Sequence, residues 1–213
     1  YILTMAQFSE SDLLALQQMN TEVIVFSAPQ DLAGQEALMT DLAVFFLGKE
    51  AGASAAADFI TEFEAKLQEV TSPAAGYLEA NSASVTVACL RVLNSTYATG
   101  DTLADEFLEA AGLTNAAAEY TGWDIGEDGI AAVNPDVLFV NEGIHIADLE
   151  TNDLYKKKTS VKGDKVYAVD LDLLSRGTLR SLDVLETMLA TVLPDAYPDL
   201  EPLSPAYPSI YKN

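Results

Sequence analysis

A chain of 213 residues that is 49% apolar and 21% charged has the composition of a globular protein, long enough for one large domain or two small lobes. Its 33 acidic residues against 11 basic ones give a formal net charge of −22, which argues against nucleic acid or an anionic membrane surface as partner. The single cysteine, Cys89, excludes an intrachain disulfide, argues against a thiolate metal cluster, and sits in the apolar run Val85 to Leu93 as a small buried hydrophobe.

In chain order, Tyr1 to Thr4 reads as a strand. Ser9 caps a helix with Asp12 in its first turn and Leu13, Leu16 and Met19 at helical spacing, and Asn20 ends it. Thr21 to Phe26 is a second strand, so the first 28 residues look like half of a small parallel α/β lobe. From Asp31 the apolar stripe Leu32, Leu38, Leu42, Phe45 and Phe46 predicts a helix that closes at Gly48. After Gly52 an alanine-rich helix with Phe59, Ile60, Phe63 and Leu67 on its apolar face runs to Val70, roughly 27 Å at about 1.5 Å per residue. Thr71-Ser72-Pro73 is expected to stop it.

A second α/β region, 73–193, follows. Val85 to Val92 is a strand, Asn94 to Gly100 a polar loop, and Asp101 caps a helix to Ala111 that Gly112 closes. Residues 123–140 carry the strongest local signals. A wide loop and a short helix end at Asn134-Pro135, because proline disfavours the helical region for the residue before it. Val137 to Val140 is then a strand covered on both faces. Asn141, Glu142 and Gly143 follow at its carboxyl end, where open α/β sheets place their ligands. His145 to Tyr155 is weakly helical, Val166 to Val169 is a strand, and Leu179 to Leu193 is the last helix. Residues 194–213, with five prolines and three tyrosines, read as an extended tail.

Enzymatic signatures are absent: there is no P-loop, G-x-G-x-x-G, G-x-S-x-G or H-E-x-x-H, and a triad or zinc site would rest on the one histidine, His145. Thirty-three carboxylates produce acidic pairs by chance, so none is read as an acid–base couple. Groups suited to holding a ligand stand in three loops expected at one sheet edge: Tyr97, Trp123, and Ser175 with Arg176. Aromatic rings with an arginine suit a large, flat, partly anionic ligand. Packing is the alternative role for Trp123, and a surface ion pair the alternative for Arg176.

Leu47-Gly48-Lys49-Glu50-Ala51-Gly52 before an alanine-rich helix, and Leu108-Glu109-Ala110-Ala111-Gly112-Leu113-Thr114-Asn115, are the first of a series of motifs. Trp123 through Val140, Val161 through Asp170, and Ser175-Arg176-Gly177 complete it. In this order they resemble the substrate-binding proteins of ABC importers, of the helical-backbone class III that takes up vitamin B12, ferric siderophores and haem. The resemblance implies two parallel-sheet α/β lobes joined by a long helix, a ligand clamped between them, and no enzymatic activity. It places Trp123 and Arg176 at the ligand and assigns Glu127 or Asp128 to docking on arginines of the permease. It implies no resident cofactor, since an iron–siderophore, haem or cobalamin would be cargo, and Tyr97, Tyr120 and His145 are the available axial groups for a haem. It also implies a further portion of the N-terminal lobe before Tyr1, an extracytoplasmic location, and membrane attachment only through a lipid anchor on that portion. The alternatives are a non-transport surface or sensor domain of the same fold and a zinc- or manganese-binding protein, the latter disfavoured by the lone histidine.

Overall fold

A computed structural model describes residues 1–6 and 8–205. The chain separates into two compact units, Tyr1–Glu62 and Phe63–Asn213.

In the first unit, strands β1 (Ile2–Thr4) and β2 (Val23–Val25) pair in parallel, Ile2 opposite Val23, around helix α1 (Glu10–Gln18). Ser9 caps α1 as expected, its hydroxyl accepting the Asp12 N–H at 3.2 Å. Helix α2 (Leu32–Leu47) starts on an Asp31 cap and ends at Gly48, whose φ of 80° suits glycine. Phe26, Phe45 and Phe46 form a chain of edge-on rings with centroids 6.1 and 5.0 Å apart.

Helix α3 (Lys49–Asn81) departs from expectation at both ends. It begins before Gly52, because a hydrogen in place of a side chain lets the α2 backbone pass where a Cβ would lie 2.5 Å from the Ala43 oxygen. It also runs straight through Pro73. The proline removes the N–H that would reach the Glu69 carbonyl. Packing outweighs that loss: Phe63, Val70, Ala74 and Leu78 share one buried face, and the Phe63 ring lies 6.3 Å from Phe107. The Tyr197 hydroxyl donates to the Val70 carbonyl at 2.5 Å just before the proline. That contact corrects the tail. Residues 194–196 form a 3-10 turn and Tyr197 is buried, while residues 206–213 lie outside the described residues.

The second unit is built on one sheet. Strand β3 (Thr86–Val92) pairs in parallel with β6 (Val137–Asn141), and β6 with β7 (Val166–Val169). On the far side of β3, β4 (Thr96–Tyr97) is antiparallel and β5 (Thr114–Asn115) parallel. The expected polar loop after β3 is therefore a tight hairpin, turned at Asn94 with φ 62°. Helix α4 (Leu103–Ala110) is capped by Thr102, not Asp101. Helices α5 (Gly126–Ala132), α6 (Ile146–Thr151) and α7 (Thr159–Lys162) join β3 to β6 and β6 to β7, and α8 (Leu171–Leu174) and α9 (Leu179–Val192) follow β7.

Period-2 alternation sends Ala88, Leu90, Leu138 and Val140 into a cluster with Ile130, Leu149, Tyr155 and Val161. Val87, Cys89, Val137 and Phe139 are buried on the opposite face, as the continuous apolar runs require. Lys158 is buried too, its ammonium donating to the Ile130 and Val133 carbonyls at the end of α5. Among the described residues no helix is long and apolar enough to cross a membrane.

Candidate functional site

The carboxyl ends of β3, β6 and β7 bring together Arg91, Asn141 and, on α8, Asp172. Arg91 Nε and Nη2 both meet Asp172 Oδ1 at 2.6 Å. Asn141 Nδ2 donates to Asp172 Oδ2 at 3.2 Å, while Asn141 Oδ1 accepts the Leu171 N–H at 3.0 Å. These hydrogen bonds, with Asn141 first and Arg91 after it, hold the Asp172 carboxyl below the usual carboxylate range, and the charges of Arg91 and Arg176 add to the effect. The side chains of Arg91 and Asp172 are 37% and 47% exposed, so the pair belongs with surface ion pairs that contribute about 0.2–1 kcal/mol.

The guanidinium of Arg91 lies over the Trp123 ring, 5.2 Å from its centroid. The backbone there is forced. Gly122 and Trp123 have φ of 81° and 69°, and for a tryptophan the left-handed region costs about 1–2 kcal/mol. A polar clamp holds it. Both Asp101 oxygens accept the Gly122 N–H at 3.0 Å, and Thr99 donates to Asp101 at 2.6 Å. Thr99 Oγ1 then accepts the Trp123 N–H at 3.2 Å, and the Trp123 carbonyl accepts the Tyr97 N–H at 2.9 Å. Beside the stacked pair is a small recess of about 170 Å³, open mouth included, with Arg91, Trp123 and Ser175 at its rim and Cys89, Ala98, Ala104, Leu171 and Leu174 beneath. Burial pushes the Cys89 thiol up to about 12, with the Asp105 charge helping, so it is inert there.

Three of the four ligand positions expected from sequence gather at this edge: Trp123 half-buried, Ser175 beside it, and Arg176 exposed at the end of α8. The Ser175 hydroxyl donates to the Leu171 carbonyl at 2.8 Å. Tyr97 is a correction. In the β3–β4 hairpin it stands opposite Leu90 and points into the core, fully buried, its phenol raised well above the usual value by that burial and by neighbouring Tyr155. Its hydroxyl is closed off from the surface of the sheet edge. Glu127 and Asp128 are exposed in the first turn of α5, three residues beyond the Trp123–Asp124 stretch. Sequence reasoning missed Arg91 and Asp172. The available signal was Arg91 itself, the only charge in the run Val85 to Leu93. Among the described residues, no three of His, Cys, Asp and Glu converge as a metal site.

No protein-family model matches the chain. Over 103 residues it is 33% identical to an ABC transporter substrate-binding lipoprotein of Bacillus subtilis, YvrC, a match that takes in 47% of this chain and a third (33%) of that protein. Among solved structures it superposes on the periplasmic haem-binding protein RhuT of Roseiflexus with a TM-score of 0.69 at 18% identity, covering 91% of this chain and 75% of that one. A periplasmic haem-binding protein of Pseudomonas aeruginosa gives a TM-score of 0.69 at 20% identity, covering 95% and 73%. The chain has the fold of the class III solute-binding proteins, in agreement with the resemblance carried by its sequence motifs.

Proposed function

We propose, from the premise that this chain shares the fold of ABC-importer substrate-binding proteins, that it captures a metal chelate of the iron–siderophore, haem or cobalamin type at the carboxyl edge of its five-stranded sheet. It then delivers the chelate to a permease and its ATPase without chemical turnover. The observation that carries this reading is Trp123. A strained backbone, held by Asp101 and Thr99, keeps an aromatic ring stacked with an arginine at the sheet edge where α/β folds bind ligands. Glu127 and Asp128, exposed on α5, offer carboxylates for docking to arginines of the permease. The protein works outside the cytoplasm, tethered by lipid rather than by a membrane span.

Thermal unfolding with haemin, a ferric tris-catecholate, a ferric hydroxamate and cyanocobalamin tests the proposal. A ligand at about 100 times its Kd stabilises the folded state by about 2.7 kcal/mol. For a chain of this size that raises Tm by roughly 5–10 °C. A rise with one chelate supports the reading, and no rise with any of them in a folded chain refutes it.

A further inference from the structure

Docking through Glu127 and Asp128 needs the helix that carries them held in one place. We infer that Lys158 is a positioning residue for permease docking: its buried ammonium, seated on the last carbonyls of α5, fixes that helix and with it the two carboxylates. This rests on the reading of Glu127 and Asp128 as the docking groups.

Left to itself, α5 is a poor helix. It has seven residues, Gly126 and Gly129 among them, and no side chain caps its first turn. Ile125 and Ile130 hold its apolar side in the core cluster. Its far end is held by polar contacts from one short segment. The last hydrogen bond of the helix runs from the Val133 N–H to the Gly129 carbonyl at 2.9 Å. Beyond it, Lys158 Nζ supplies the donor for the carbonyls of Ile130 and Val133. Thr159 adds a second tie: its N–H donates to Asn134 Oδ1 at 2.8 Å, and Asn134 Nδ2 donates to Thr159 Oγ1 at 3.0 Å. The segment that reaches over is itself anchored. The Tyr155 hydroxyl accepts the Asn94 N–H at 2.9 Å, and Asn152 Nδ2 donates to Asn94 Oδ1 at 2.8 Å.

The residue type at 158 points the same way. Lys158 is 4% exposed, and among the described residues no carboxylate pairs with it. Its remaining neighbour is the Tyr155 ring, whose centroid lies 5.7 Å from the ammonium. A buried cation carries a desolvation cost that a methionine would not, so an apolar side chain would serve packing at least as well. What the ammonium alone provides is donors for two carbonyls at once and a positive charge at the negative end of the helix. Lys156 and Lys157 are exposed, and Lys156 turns to Asp153, so neither substitutes for it.

Amide hydrogen exchange followed by NMR reads α5 against the sheet in the parent chain and in Lys158→Met, with Lys156→Met and Lys157→Met as controls. Circular dichroism verifies that each variant is folded. Lys158→Met is expected to lower the protection of the α5 amides from Ile130 to Val133 at least about tenfold, with β3 and β6 within about twofold of the parent. The controls remove a charge from the same segment without touching α5 and stay at parent values. Docking is read as binding of the labelled chain to the permease–ATPase complex in nanodiscs. Lys158→Met weakens it about two- to fivefold, in the same range as Glu127→Gln combined with Asp128→Asn. If Lys158→Met does not fold, Lys158→Gln, which keeps a donor without the charge, is read by the same criteria. Unchanged α5 protection, protection lost equally from α5 and the sheet, controls that loosen α5 as much, or a loosened α5 that docks like the parent overturns the inference while leaving the docking carboxylates in place. A parent chain that does not dock, or that docks equally well without both carboxylate charges, removes the docking reading and the inference with it.

Discussion

Replacing Asp101 with alanine tests whether the clamp holds Trp123 where the site needs it. The carboxylate is the acceptor for two donors, the Thr99 hydroxyl at 2.6 Å and the Gly122 N–H at 3.0 Å from both oxygens. Hydrogen bonds to a charged group contribute about 1.5–3 kcal/mol each, and the half-exposed position argues for the lower end, giving about 3 kcal/mol together. That exceeds the ~1–2 kcal/mol by which Trp123 resists its left-handed backbone. Without the carboxylate the balance reverses, and the Gly122–Trp123 turn relaxes away from Arg91. The emission of the sole tryptophan should move to the red and acrylamide should quench it more strongly, while far-UV circular dichroism holds. With m near 1–3 kcal/mol/M, the urea midpoint should fall by about 1–3 M. Asp101→Asn, which keeps one oxygen acceptor, should fall between. Unchanged emission and quenching in Asp101→Ala would show that the clamp does not position the ring, whatever happens to the urea midpoint.

Pro73→Ala restores the missing donor inside α3 and is expected to raise stability by about 1 kcal/mol, part of the ~3 kcal/mol a mid-helix proline costs, since the packing around α3 is already built on the proline. A loss in urea titration would contradict this. Tyr197→Phe removes the hydroxyl from the Val70 carbonyl and should lower stability by about 1 kcal/mol. No change would mean that the tyrosine is held by apolar contact alone. Gly100→Ala places a Cβ 2.1 Å from the Ala118 carbonyl and should destabilise far more than an ordinary surface substitution, read as a fall in Tm of several degrees.

Lys158 gives the pH dependence. Burial lowers its value from 10.5 to about 8, so between those pH values the unfolded chain binds the proton and the folded chain does not. Stability from this group therefore rises with pH from about 8 to 10.5, by up to about 3 kcal/mol. Lys158→Met should abolish that rise relative to the parent chain, and parallel pH profiles in urea would refute it.

Much of the second unit was legible in the sequence because its signals are local. Val-Leu-Phe-Val, the Asn134-Pro135 break and the Gly112 stop each act within a few residues, and β6, α5 and β7 fall where the local signals put them. The failures came from distant partners. Pro73 reads as a stop until Val70, Ala74 and Leu78 are seen buried on one face of α3. Gly52 reads as a helix start until the α2 backbone is seen against it. Tyr97 was assigned to the ligand because the chain after β3 is polar, yet pairing with Leu90 turns the ring inward. Trp123, Ser175 and Arg176 stand at the sheet edge where the order of elements put them, because loops at carboxyl strand ends are readable from order alone. Arg91 and Asp172, 81 residues apart, meet only through the β3–β6–β7 register, which no local pattern states.

The most direct test of the central claim is the single indole Nε1–H signal of Trp123 in a ¹H–¹⁵N spectrum, followed with the backbone signals while gallium chelates of catecholate and porphyrin carboxylate ligands, and cyanocobalamin, are added. The account predicts that one chelate shifts the Trp123 indole together with the amides of Arg91, Asn141, Asp172 and Ser175, and that Cys89 and the core of the sheet stay still. Shifts confined to another surface, or a Trp123 signal indifferent to every chelate, would contradict it.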